Sequence, residues 1–169
     1  VLIDMDEAQA ARGYCETEVV QHVIRVELSG LQWATGAPEP FLVSTEGRTL
    51  FAFSRSDDDD TVRVAEFLGC TSVRFGFHDD ALPGQPLTPH GLSLYAAHEV
   101  IHSEWLNELR TIERRHLQSQ TIPFQTSKHW MLTFHNTTLE AIATGIAVHR
   151  DYADRPSAMH AIVELLSLV

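Results

Sequence analysis

Cysteine is scarce in this sequence: Cys15 and Cys70 are the only two thiols in 169 residues. Two cysteines make no disulfide framework, which points to a reducing, cytoplasmic setting and a chain held by its core. Long apolar runs are missing as well. None reaches the ~18 residues of a membrane-spanning helix, and no basic-then-apolar leader opens the chain. Positive charge is short, with 12 Lys and Arg against 23 Asp and Glu and a formal net charge of -11. Nucleic acid is repelled by such a surface. The densest basic cluster, Arg110, Arg114 and Arg115, is interleaved with Glu108 and Glu113 and reads as a solvated helix face. A basic protein partner suits an acidic chain better. No Gly-rich phosphate loop, G-x-S-x-G elbow or Cys-x-x-Cys pair occurs, so nucleotide, α/β-hydrolase and thioredoxin chemistries have no anchor. The expectation is no membrane, no nucleic acid and no cofactor.

What is present suits one globular domain over residues 1–169. Apolar residues make up 44% and charged residues 21%, close to the globular norm. Val20, His22, Ile24, Val26 and Leu28 alternate as in a half-buried strand. Residues 41–44 and 49–53 read as a hairpin turned at Gly47, and 71–77 as a further strand. Between them, an Asp59 or Asp60 cap and a Gly69 stop suggest a helix through "TVRVAEFL". The four aspartates 57–60 lack the central Gly and distant Glu of an EF-hand loop.

"HDDALPGQPLTPHG", 78–91, is a long loop with ligand-type side chains at His78, Asp79, Asp80 and His90. Residues 129–135 and 146–152 look like strands. Thr137 and Glu140 fit the capping box of a short helix to Thr144, and a last helix opens at Pro156, with Met159, Ile162, Leu166 and Val169 as its buried stripe. The fold class is α+β: a single domain with a mostly antiparallel or mixed sheet of about six strands and four helices packed on it.

One motif names a chemistry. His98-Glu99-Val100-Ile101-His102 has the H-E-x-x-H spacing of zinc hydrolases, in which the Glu activates a water. With 10 His and 13 Glu, that pattern is expected by chance about 0.04 times per chain. Conformation decides its meaning. On a helix the histidines stand about 6 Å apart; on a strand they stand about 13 Å apart, too far for ligand bonds near ~2.1 Å. Ser103 and Glu104 directly after the motif suit a strand, a Ser103 cap and then a helix.

"GLSLYAAHEVIHSEWLNELRTIERRH" followed by "KHWMLTFHNTTLEAIA" resembles a family of uncharacterised bacterial proteins. That family has a GLxxYxxxEVxxSxW block and then a TFHDSTFECIA-like block. The likeness covers roughly residues 68–148, and Glu99, Val100, Ser103, Trp105, Thr133, Phe134, His135, Thr138, Glu140, Ile142 and Ala143 match. It implies no activity. It implies a strand–cap–helix reading of 92–116 and no metal role for His102, since Asn is the usual residue there. Asn136 and Ala141 depart from the family's Asp and Cys, so no nucleophile or base is carried over at those positions.

Three functions follow as expectations. One is a small-molecule or acid–base pocket at the end of the 129–135 strand. There His135, Glu140 and Glu99 would supply the catalytic groups, and Asn136, Thr137, Thr138 and Ser103 the ligand contacts. A second is an acidic protein-binding or inhibitory module. The third is a zinc hydrolase built on His98, Glu99 and His102.

Overall fold

The computed structural model describes residues 19–36, 38–56, 60–76, 86–116 and 124–167. Nine strands and two α-helices lie among them: β1 His22–Arg25, β2 Phe41–Ser44, β3 Thr49–Ser54, β4 Val62–Leu68, β5 Ser72–Gly76, β6 Ala97–Ile101, α1 Glu104–His116, β7 Lys128–Thr133, β8 Thr138–Ala143, β9 Gly145–Tyr152 and α2 Arg155–Ser167. The strands form two antiparallel sheets, ordered β1-β6-β7-β8-β5 and β2-β3-β4-β9. The α+β class therefore holds, but one sheet of about six strands becomes two sheets and nine strands. His78, Asp79, Asp80 and Asp57 to Asp59 fall outside the described residues.

The sheets face one another across a single apolar cluster. Phe51, Phe53, Ala65 and Phe67 come from one sheet, and Trp130, Leu132, Leu139 and Ala141 from the other. Phe51 stacks on Phe67 at 4.7 Å, and Trp33 wedges against Phe134 at 4.8 Å. Each sheet has one helix on its outer face. α2 covers Leu50, Ala52, Val62 and Val64 with Ala158 and Ile162. Ile162 is buried as expected, but Met159 is exposed, and Ala158 and Ala161 supply the rest of the buried face. α1 lies against β7 at His129.

Two expected helices are strands. "TVRVAEFL" is β4, paired with both β3 and β9, and the segment after Thr137 is β8. The reason is common to both. Each lies in a sheet covered on two faces, so apolar residues fall at consecutive positions and the period-two alternation is blurred. The capping box is thereby corrected: Thr137 and Glu140 belong to a hairpin closed by Phe134 N–H donating to the Thr137 carbonyl at 2.8 Å, not to a helix start. In β1 the buried residue is Val23, while Ile24 on the alternate side is exposed.

Candidate functional site

β6 ends at Ile101, and the chain turns into α1 through His102, whose φ of 56° is in the left-handed region that His tolerates better than branched residues. Ser103 then caps the helix: the Leu106 N–H donates to Ser103 Oγ at 3.1 Å. The expected strand–cap–helix order is observed, and with it the H-E-x-x-H stretch lies on a strand and its turn. His98 is buried on β6 and accepts from the Ser93 backbone N–H at 3.2 Å; His102 sits beside His22, ring centroids 5.7 Å apart. Among the described residues, no group of three His, Cys, Asp or Glu side chains gathers where it could hold a metal ion.

The polar cluster that forms here is a different one. His129, Met131 and Thr133 share the outer face of β7, as Thr138, Glu140 and Ile142 share that of β8, because side chains alternate along strands. Ser103 Oγ lies 2.8 Å from His129 Nδ1, and His129 Nε2 lies 3.0 Å from Glu140 Oε2. The partners assign the protons. A carboxylate only accepts, so Nε2 carries the imidazole hydrogen and donates it to Glu140. Nδ1 is then an acceptor, and the Ser103 hydroxyl donates to it. The result is a hydroxyl–imidazole–carboxylate chain running from the α1 cap through β7 to β8.

The surroundings hold that chain in one geometry. Ser103 is 3% exposed and His129 4%. The Trp105 ring meets His129 edge-on at 5.1 Å, and the Arg74 guanidinium lies 3.9 Å over the Trp105 ring. Arg74 is also directly across from Glu140 in the β5–β8 register. On its open side the chain meets a cleft of about 210 Å³ whose walls include Ser103, His129, Asn107, Arg110 and Lys128. Lys128 holds Glu99 at 2.7 Å, and Arg110 donates to the Phe124 carbonyl.

The expected site residues divide between two places. Ser103 and Glu140 meet His129, Ser103 at the cleft wall and Glu140 from behind, whereas Glu99 lines the same cleft but pairs with Lys128. Glu99 comes from the face of β6 that pairs with Trp130, the face opposite His129. His135 and Asn136 lie elsewhere, exposed in the turn after β7. About 13 Å of strand separates His129 from Thr133 alone. His135 instead packs against Tyr95, centroids 6.2 Å apart. Thr138 is buried and paired with Thr133, and Thr137 contributes its carbonyl to the turn. His129 was the residue sequence reasoning passed over. Pairing β7 and β8 as a hairpin about "FHNT" puts Met131 opposite Glu140 and His129 on the same face, one step diagonal from it. No known protein family, curated protein or solved structure matches the chain.

Proposed function

We propose that the chain carries an acid–base site in which Ser103, His129 and Glu140 act on a small acyl compound held in the cleft beside α1. The observation that carries this reading is the 2.8 Å and 3.0 Å pair of contacts that links a hydroxyl, an imidazole and a carboxylate in order. In such a chain the carboxylate fixes the tautomer and the imidazole takes the hydroxyl proton. Ser103 Oγ would attack the carbonyl carbon of an ester while His129 Nδ1 receives its proton. That proton would pass to the departing alcohol oxygen. Water, deprotonated by His129, would then cleave the acyl-serine, release the acid and return the proton to Ser103. Glu140 would offset the transient imidazolium charge. The cleft volume of about 210 Å³ suits an acyl group of a few carbons. Three residues of the bacterial-family resemblance, Ser103, Trp105 and Glu140, surround His129, which supports one shared purpose for them. The reading takes the protein to be cytoplasmic, in keeping with its two cysteines.

The test is hydrolysis of p-nitrophenyl butyrate by the full chain, the His129→Asn variant and the Ser103→Ala variant. Both variants are expected to lose about 100-fold or more of the rate. Equal rates in all three proteins contradict the proposal.

A second reading has its own observation. Ser103 Oγ already accepts the Leu106 N–H and is nearly sealed from solvent. The chain of contacts would then be a staple joining α1 to the sheet, and the cleft a binding site for a small molecule or a basic protein partner without chemistry. In that case Ser103→Ala lowers stability by roughly 0.5–2 kcal/mol and no turnover is found in any of the three proteins.

A further inference from the structure

A second cleft, of about 450 Å³, lies where the chain beyond β1 runs past the start of β6. The Val26 N–H donates to the Ala97 carbonyl at 2.8 Å, which keeps this backbone extended beside β6. Two residues apart on it, Arg25 and Glu27 put opposite charges on the cleft rim; both side chains are exposed, and neither forms an ion pair among the described residues. Other cations of the protein, Arg48, Arg55, Arg63, Lys128 and Arg155, meet carboxylates. Two aromatic residues and Leu31 form part of the wall. Tyr95 lines the cleft with φ at 52°, a left-handed conformation that is strained for a side-chain-bearing residue and gathers at ligand sites. Trp33 lines it too, 8% exposed, and its indole nitrogen has no hydrogen-bond partner.

We infer that this cleft binds a small zwitterion with an apolar side group, an α-amino acid of the aromatic or large aliphatic kind. Its carboxylate meets Arg25, its ammonium meets Glu27, and its side group lies against Tyr95 and Leu31. The volume is in the range of small-molecule sites. A zwitterion matches both rim charges without adding to the net charge of -11. This site is separate from the His129 cleft and does not depend on it.

The experiment is an NMR titration of the full chain with L-phenylalanine and three relatives: 3-phenylpropanoate, 2-phenylethylamine and N-acetyl-L-phenylalaninamide. Saturable amide shifts at Tyr95, Ala96 and Ala97 are expected with L-phenylalanine, and each relative should bind at least about tenfold more weakly. Arg25→Gln and Glu27→Gln should each weaken L-phenylalanine by about tenfold while the rest of the spectrum stays native. Absence of saturable shifts at those residues overturns the inference. So does binding of the uncharged amide as tight as that of L-phenylalanine, or binding that both variants leave unchanged.

Discussion

His98 shows how far a residue's neighbours decide its role. In the sequence it opens a zinc motif; in the fold it is a fully buried imidazole whose Nε2 takes the Ser93 N–H. Burial pushes its pKa down from the usual 6.5; the backbone carbonyls of Met131 and Ala96 oppose that, and the Arg25 cation adds to it. A lowered pKa means that the unfolded chain binds a proton at a pH where the folded chain does not. The contribution of neutral His98 is therefore fully present above about pH 6.5 and is lost as pH falls from there towards the folded value. The Glu66 and Asp151 carboxyls are both held below their usual values, by Arg48 and by Arg63 respectively, and their contributions fade only in a more acid range. Urea unfolding between pH 7 and 5 should show wild type losing stability at up to about 1.4 kcal/mol per pH unit from this group. The His98→Gln variant should lose less. Parallel slopes for the two proteins would refute the assignment.

At the scale of elements, the clearest dependence is that of α2 on one arginine. Asp154 caps its start by accepting the Ser157 N–H at 2.8 Å. At its other end, Arg48 donates to the Leu165 carbonyl and grips Glu66 on β4 at 2.6 Å and 2.8 Å, while His149 on β9 meets the same carboxylate at 3.1 Å. Cations favour helix C-termini, and a buried carboxylate that loses its arginine keeps its desolvation cost. Arg48→Met should destabilise by about 1–3 kcal/mol, and adding Glu66→Gln should recover part of that. Urea titrations of the single and double variants read both effects; an Arg48→Met protein within about 0.5 kcal/mol of wild type would sink this account. The elements also mark what the sequence made legible. The Phe41–Ser44 and Thr49–Ser54 hairpin, β7, β9 and the Ser103 cap could be read directly: the hairpin has a turn at Gly47 between two apolar runs, β7 and β9 are short runs bounded by polar or turn residues, and the cap has its own hydrogen bond. β4 and β8 could not. Both are strands with apolar side chains on two covered faces, and their flanking Asp and Thr imitate helix caps. Misreading β8 as a helix hid the site as well, since only as a strand does it bring Glu140 to His129.

For the molecule as a whole, two sheets share one inner core and each has a helix outside. Such layering predicts where opening begins. Amides of β3, β4, β7 and β8, paired on both sides, should exchange slowest in native-state hydrogen exchange, and those of the edge strand β1 much faster. Equal protection of β1 and β7 would argue against that order. The same layering produces the chain of contacts: α1 docks on the outer face at the point where β7 offers His129 and β8 offers Glu140. The central claim is that Ser103 is a nucleophile activated by that pair. It is tested most directly by treating the intact protein with a fluorophosphonate and mapping the adduct by mass spectrometry. One phosphonyl group on Ser103, absent in His129→Asn, is the predicted result. No adduct at Ser103, or the same labelling with His129 replaced, would contradict it.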